Sequence, residues 1–326
     1  MMTRMILVLL CCAALHAAAQ TQTSWQPQRQ VEIVVGSGPG GGNDRNARAL
    51  QKILIENKWL QNVSVLNKVG GSGAISYAYV HGHAGDAHYL VVVRQGFLSN
   101  HILGRSAIGP NDITPVAMLG TEASSIAVRA GNATLKTLAD MLERLKQDPQ
   151  SLTTSLGSSR NGSPHLMLAQ LVKAAGIDPR KLKLVTFAGG AESATQLLGG
   201  HIDMAAVSID NTAPHHKSGA MRILAVSSAQ RLAALPDVPT LKEQGYDVVL
   251  GGFTIVMAPR GLTPAQIQYW ENLLERVSNT AEWKRLMAAD LQDLDFRKSA
   301  ATRDHLRQQY EISRTVLTEI GAAKTP

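Results

Sequence analysis

The sequence predicts an α/β fold of two lobes, each with a central sheet flanked by helices. Ten short apolar runs alternate with helical patterns along the 326 residues, which is typical of βα units and a largely parallel sheet. Four of these runs lead through a glycine-rich or small-residue loop into a helical pattern. Because the sequence contains neither an internal repeat nor a low-complexity linker, we expect several crossings of the chain to join the lobes.

The apolar runs are the predicted strands, at residues 31–35, 63–67, 89–94, 115–120, 125–130, 152–157, 182–187, 204–208, 222–227 and 252–258. Helices are predicted at residues 44–57, 136–147, 165–175 and nearly throughout 264–320. In the first helix, Ala47, Leu50 and Leu54 share one face, and Gly176 is placed to end the third. The alternation of strands and helices is the basis of the predicted fold class.

The amino terminus has the pattern of a cleavable signal peptide. Arg4 precedes an apolar run over residues 5–15, and three alanines ending at Ala19 follow, so we expect export from the cytoplasm with cleavage near Ala19. Both cysteines, Cys11 and Cys12, lie in this segment. A lipoprotein anchor is disfavoured because neither cysteine follows a small residue. The mature chain would lack cysteine, which excludes disulfides, thiolate catalysis and thiolate metal sites.

Composition narrows the possible functions. With 44% apolar residues the chain is expected to be folded, and its formal net charge of +7 favours anionic partners only weakly. Loss of Arg4 with the signal peptide lowers that charge to +6, because residues 1–19 contain no Asp or Glu. Aromatic residues are few and are not interleaved with basic ones, so we expect no nucleic-acid partner.

The stretch GSGPGGGND, residues 36–44, contains a GxGxxG pattern typical of dinucleotide sites. That fingerprint also requires an acidic residue at the end of the second strand, where this chain has Asn67 and Lys68. A phosphate loop of the Walker type is excluded because no lysine follows Gly42. A dinucleotide-binding enzyme is therefore a minor alternative.

Four loops favour an anion site instead, at residues 36–44, 67–76, 157–166 and 187–193. A helix that follows such a loop leaves its first N–H groups unpaired, and its dipole favours negative charge there. In the third loop Ser163 is placed as the helix N-cap, with Pro164 at the first helical position. Since loops at the carboxyl ends of strands line one crevice, we predict a small anion held by backbone and hydroxyl groups.

The chain from about residue 31 to 265 resembles the periplasmic substrate-binding proteins of tripartite tricarboxylate transporters, the Bug family, in its tricarboxylate-binding-like branch. The stretches that carry this resemblance are EIVVGSGPGGGND, NKVGGSGAIS, GSSRNGSPHL, VTFAGGAESATQLLGGHIDM, SGAMRILAVSSAQRLAALPDVPTLKEQGYDV and MAPRGLTPAQ. The resemblance implies a type II-like Venus-flytrap fold. Its expected lobes are residues 25–115 plus 248–326, and residues 116–247.

The resemblance also implies a function. A di- or tricarboxylate would be trapped between the lobes and delivered to the large and small membrane subunits of the transporter. No cofactor, catalytic residue or metal is implied, and we expect a monomer. A ligand sensor for a two-component system is the alternative.

The family's motifs place the expected ligand-binding positions on loops of both lobes, where main-chain N–H groups and bridging waters hold a carboxylate. In the first lobe these positions are Ser37, Gly38, Gly40, Gly41, Asp44, Ser72 and Gly73. In the second lobe they are Ser158, Arg160, Asn161, Ser163, Ala188, Gly189, Ser208 and Asp210. We expect Asp44 to brace its own loop, because a carboxylate repels an anion.

Arg94 and Arg160 depart from the family pattern as it stands in many relatives. Each either forms a bidentate bond with a second carboxylate or points outward at the rim of the cleft. We include both among the candidate ligand-binding residues.

Two rival chemistries are weaker. A hydrolase would use Ser163 and His165 with Asp210, but a serine and a histidine two positions apart do not face each other at a helix start. The histidines in HGHAGDAH, residues 81–88, alternate as metal ligands do, but solvated histidines in a surface loop are the favoured interpretation.

Overall fold

The computed structural model describes residues 25–157 and 160–323. The predicted signal peptide, with Cys11 and Cys12, and the predicted site residue Ser158 lie outside this part of the chain. Within it, every helix is too short or too polar to cross a bilayer.

Twelve strands form two sheets in the described residues. The strands are β1 Val31–Val35, β2 Val63–Asn67, β3 Tyr89–Val93, β4 Ile113–Glu122, β5 Ser124–Arg129, β6 Thr154–Ser155, β7 Leu184–Val185, β8 Met204–Ser208, β9 Met221–Val226, β10 Gly252–Pro259, β11 Gln292–Asp293 and β12 Arg297–Lys298. The first sheet has the order β11-β4-β10-β3-β1-β2, with β12 also on β4, and the second has the order β7-β6-β8-β5-β9. Each of the ten predicted strands is present.

Helices cover both sheets. They are α1 Gly42–Glu56, α2 Ala74–His81, α3 Gly96–Ile102, α4 Leu138–Gln147, α5 Ser163–Ala174, α6 Gly190–Leu198, α7 Ala213–Lys217, α8 Pro264–Ser278, α9 Ala281–Ala289 and α10 Ser299–Glu319. The prediction of nearly continuous helix after residue 264 was wrong between α9 and α10, where β11 and β12 pair antiparallel with β4. These two short strands cover an edge of β4 that would otherwise expose unpaired backbone groups.

Strand β1 positions the first lobe's loops. It pairs in parallel with β2 and β3, in the registers Val31 to Val63 and Glu32 to Tyr89. The carboxyl ends of parallel strands meet at one edge of a sheet, so the loops after β1, β2 and β3 emerge together.

The lobes are joined where β4 leads into β5 and where β9 leads back to β10. The expected boundary between residues 115 and 116 falls inside β4, which pairs with strands of the first sheet along its length. At the crossing, a Cβ atom on Gly251 would lie 2.1 Å from the carbonyl oxygen of Glu122. The two connecting segments are therefore in direct backbone contact, which only glycine permits.

The C-terminal helix α10 is a third link between the lobes. Near its start, the Thr302 hydroxyl accepts a hydrogen bond from the Met118 N–H of β4 at 3.0 Å. Near its end, Val316 and Leu317 are buried in the second lobe's core with residues of α5. Any movement of one lobe relative to the other must therefore either bend α10 or use it as a pivot.

Two tryptophans in the first-lobe core offer a test of buried hydrogen bonding. Trp270 and Trp283 are both fully buried. The Trp270 Nε1–H donates to the Ala87 carbonyl at 2.9 Å, whereas Trp283 Nε1 has no partner among the described residues. We expect Trp270→Phe to lower the free energy of unfolding by about 1–2 kcal/mol more than Trp283→Phe, because only the first leaves a buried carbonyl unpaired.

Urea unfolding of the two variants measures this difference directly. Equal losses would show that the bond to Ala87 contributes nothing to stability.

Candidate functional site

A cavity of about 380 Å³ lies between the lobes, at the carboxyl ends of the strands. Its lining comes from both lobes and from the connection between them: Ser72, Arg94, Gln95, Gly96, Glu122, Leu156, Gly157, Gly162, Ser163, Pro164, Gly190, Val207, Ser208 and Asn211. Four of the sequence-predicted site residues line it, namely Ser72, Arg94, Ser163 and Ser208.

The glycines of the first loop make room for the protein itself. A Cβ atom on Gly36 would lie 2.5 Å from the Gly73 Cα, so the loops after β1 and β2 cross with bare backbone on both sides. A Cβ atom on Gly42 would lie 3.2 Å from the Arg94 Cζ, so the guanidinium rests against the start of α1. At Gly38 a Cβ atom would meet no atom of the described residues within 4 Å.

Asp44 is buried in α1 and holds the first loop in place. Its Oδ2 accepts hydrogen bonds from the Gly40 N–H at 2.8 Å and the Arg48 Nε–H at 2.9 Å, and its Oδ1 accepts from the Asn67 Nδ2–H at 2.8 Å. Burial alone would raise the pKa of Asp44, but these three bonds together hold it below its usual value. In this geometry Asp44 braces its loop and does not line the cavity.

The second loop brings Ser72 to the cleft. Ser72 has a positive φ of 54°, which is uncommon for a residue other than glycine. Asn100, buried in α3, donates from Nδ2 to the Gly71 and Ser72 carbonyls at 3.1 and 2.9 Å. Gly73 adopts φ of 102° and does not line the cavity.

The facing loop of the second lobe leads into α5. Here the prediction of Ser163 as N-cap was wrong by one residue: Gly162 occupies that position with extended backbone, and Ser163 is the first helical residue. Asn161 donates its N–H to His165 Nδ1 at 3.0 Å. Arg160 does not line the cavity, and its Nη2 donates to the Leu184 carbonyl at 2.6 Å.

The fourth loop, residues 187–193, and the end of β8 complete the second lobe's wall. Ala188 donates its N–H to the Glu192 carboxylate at 2.8 Å, and the neighbouring Gly189 is the N-cap of α6. Asp210 lies beside the cavity without lining it, and its Oδ1 accepts from the Asn211 Nδ2–H at 2.7 Å. Burial raises the pKa of Asp210, and the Glu122 carboxylate raises it further.

Arg94 and Glu122 are the charged residues of the cavity wall among the described residues. The Arg94 Nη1 donates to Glu122 Oε2 at 2.9 Å and to Oε1 at 3.1 Å. Arg94 Nε is buried and has no hydrogen-bond partner in the described part of the chain. The two side chains are 25% and 12% exposed, so the pair is mostly shielded from solvent.

Two helices of the second lobe begin at the cavity. The helices α5 and α6 follow Gly162 and Gly189, and neither N-cap supplies a capping side chain. Uncapped helix starts leave N–H groups available and favour negative charge, which at α6 the first-turn Glu192 already supplies in part and at α5 no first-turn acidic residue supplies. In contrast, the N–H groups of Gly40, Gly41, Asn161 and Ala188, four expected ligand-binding positions, are already donated within the chain.

The most informative cavity residue that the sequence did not reveal is Glu122. It lies two residues beyond the strand predicted at residues 115–120, and nothing local indicates that it meets Arg94, 28 positions away. Gln95, Gly96, Gly157, Gly162, Gly190 and Asn211 were also missed as lining residues, although Gly157, Gly162 and Gly190 lie within predicted loops and Gln95 and Asn211 adjoin predicted site residues.

The histidines of residues 81–88 have individual partners. His83 stacks on Tyr89 with ring centroids 3.7 Å apart, and His88 Nδ1 lies 2.7 Å from the Asp86 carboxylate. Within the described residues, no group of three or more His, Cys, Asp or Glu side chains is arranged to hold a metal ion.

Similar proteins share this architecture. A TctC solute-binding protein from Polaromonas superimposes with a TM-score of 0.77 at 26% identity, over 90% of this chain and 99% of that one. Rpa4515 of R. palustris, solved with adipate, gives a TM-score of 0.78 at 22% identity, over 92% and 99% of the two chains. The fold is thus that of a two-lobed solute-binding protein.

Sequence comparison identifies the family. Residues 47–321 match the family model described as the tripartite tricarboxylate transporter family receptor. BugT of Bordetella pertussis is 28% identical over 273 residues, which cover 81% of each chain. The chain belongs to this family of transporter receptors, which confirms the resemblance seen in its sequence.

The crossing of the first two loops predicts a contrast between two glycines. We expect Gly36→Ala to destabilise the protein by about 2 kcal/mol or more, because its Cβ atom collides with the backbone at Gly73. Gly38→Ala should change the free energy of unfolding by less than about 1 kcal/mol, since its Cβ atom points into open space. Thermal unfolding compares the two, and equal melting temperatures would contradict the crossing.

Burial of His165 should make the protein less stable as the pH falls. Burial, with a smaller effect from the Arg160 charge, lowers the pKa of His165 from 6.5 to about 4. The unfolded chain therefore binds a proton that the folded chain does not between pH 6.5 and 4. The stability from the neutral ring is fully present above pH 6.5 and falls as the pH drops towards 4.

We expect the wild type to lose about 2 kcal/mol more than His165→Gln between pH 7 and pH 5, measured by urea unfolding. The exposed His201 provides the control, since His201→Gln should leave the loss unchanged. An equal loss in His165→Gln and the wild type would show that His165 is not the group responsible.

Proposed function

We propose that this protein is a periplasmic receptor that captures a small di- or tricarboxylate between its lobes. It delivers the ligand to the large and small membrane subunits of a tripartite tricarboxylate transporter. The residue 1–19 segment would direct export, with cleavage near Ala19. Family membership and the adipate-bound relative of the same fold support this proposal.

The observation that carries the proposal is the wall of the interlobe cavity. Two uncapped helix starts of the second lobe, the hydroxyls of Ser163 and Ser208, and the guanidinium of Arg94 meet at one cavity. Backbone N–H groups, helix dipoles and an arginine fork all favour carboxylate oxygens.

The division of this wall between two lobes suggests how the ligand is trapped. A carboxylate that contacts Arg94 in the first lobe and the start of α5 in the second gains its full set of contacts only when the lobes approach each other. The ligand therefore stabilises the closed state relative to the open state, by the difference between its binding free energies for the two. The segments beside Glu122 and Gly251, together with α10, would absorb this movement.

A ligand screen of residues 20–326 tests the proposal. We expect a carboxylate at 100 times its dissociation constant to stabilise the folded state by about 2.7 kcal/mol and to raise the melting temperature by a few degrees. Amino acids without an acidic side chain, nucleotides and NAD serve as controls and should have no effect. Stabilisation by NAD with none by any carboxylate would contradict the proposed ligand class.

Delivery is tested separately by reconstituting the two membrane subunits in vesicles. Uptake of the carboxylate should require the receptor, and equal uptake in its absence would contradict the transport role.

A further inference from the structure

We infer that the Arg94 and Glu122 pair makes this cleft select dicarboxylates over both monocarboxylates and tricarboxylates. This inference rests on the proposed function, since it concerns the same cleft. It follows from the number, position and bonding of the charged groups in the wall.

Arg94 has hydrogen-bond donors that its pairing with Glu122 does not use. Both of its bonds to Glu122 come from Nη1, at 2.9 and 3.1 Å, while Nε is buried without a partner among the described residues. A guanidinium binds a carboxylate best through two parallel N–H groups, and the Nε and Nη2 edge offers such a pair. A ligand carboxylate that reaches this edge leaves the two bonds from Nη1 to Glu122 in place.

The guanidinium is also held in position. Glu122 holds it on one side, and the bare backbone of Gly42 at the start of α1 lies against it, with a Cβ position 3.2 Å from Cζ. A fixed guanidinium loses little side-chain freedom when the ligand binds. Glu122 is thus a positioning residue for Arg94.

A second ligand carboxylate has a separate place. The starts of α5 and α6 and the hydroxyls of Ser163 and Ser208 lie in the opposite wall of the cavity. A dicarboxylate fills both places, whereas a monocarboxylate leaves one of them without an anion.

A third ligand carboxylate has no second cationic side chain to pair with among the described lining residues. Among the described residues that line the cavity, Arg94 is the one cation and Glu122 the one anion. Arg45 lies outside the lining and pairs with Asp290 at 3.0 Å. A third ligand charge would instead approach Glu122 and the nearby Asp210, and like charges in a partly buried site repel each other strongly.

Isothermal titration of residues 20–326 tests this selectivity. The probes are butanoate and succinate, hexanoate and adipate, and tricarballylate, which has six carbons as adipate does but three carboxylates. The wild type should bind the better dicarboxylate at least about tenfold more tightly than its matched monocarboxylate and than tricarballylate.

Two variants separate the roles of the pair. Arg94→Met should weaken dicarboxylate binding about 10- to 100-fold and reduce the preference for a dicarboxylate over its matched monocarboxylate to less than about threefold, and an unchanged circular dichroism spectrum shows that the variant is folded. Glu122→Gln keeps an acceptor for Arg94 Nη1 but removes the charge, so tricarballylate binding should improve at least about fivefold. Arg276→Met is the matched control, because Arg276 lies over the Trp59 ring outside the cavity lining, and it should change neither ratio.

The outcomes are distinct. Dicarboxylate selectivity that persists in Arg94→Met, or that is lost equally in Arg276→Met, would overturn the role of Arg94. Tighter binding of tricarballylate than of either dicarboxylate by the wild type, or no gain in Glu122→Gln, would overturn the role of Glu122. Equal binding of monocarboxylates and dicarboxylates would overturn the selectivity but leave the proposed function intact. Failure to bind any of the carboxylates would contradict both the selectivity and the proposed function.

Discussion

Close backbone contact at glycine is the constraint on which the binding cleft depends. Gly36 crosses Gly73, Gly42 accommodates the Arg94 guanidinium, and Gly251 crosses the backbone at Glu122. A side chain at Gly36 or Gly251 would separate segments whose contact positions the cleft, and one at Gly42 would press on the guanidinium. The glycine-rich stretch after β1 therefore serves the protein's own packing first, and only through that packing does it shape a place for a ligand.

The second determinant of the cleft is its charge balance. Among the described residues, Arg94 and Glu122 leave the cavity wall with no net side-chain charge, so attraction for an anion comes from helix starts and from donors of Arg94 that Glu122 does not use. Such a site is selective because each negative charge needs a specific position. A wall of several unpaired arginines would bind many anions with little discrimination.

Much of the fold could be predicted from the sequence, because apolar runs such as VEIVV and the periodicity of α1 are local signals. The strands β11 and β12 could not, since they consist of two residues each and exist only because β4 offers an edge. The sequence also could not predict that α10 packs against both lobes. Its amphipathic pattern predicts a buried face but does not specify which core covers that face.

The candidate site was predictable at the level of loops but not of individual contacts. Ser72, Arg94, Ser163 and Ser208 line the cavity as expected for ligand-binding positions, and whether they bind a carboxylate stays a prediction. Several main-chain N–H groups expected to face the ligand are instead donated to Asp44, His165 and Glu192. These bonds join residues four positions apart, so they depend on the local turn and not on residue type alone.

The most direct measurement is a crystal structure of the mature protein with a dicarboxylate bound. We expect one carboxylate to accept a hydrogen bond from Arg94 Nε while Nη1 stays on Glu122, and the other carboxylate to lie at the starts of α5 and α6. A carboxylate that displaces Glu122 from Arg94, or a ligand held by one lobe alone, would contradict this expectation.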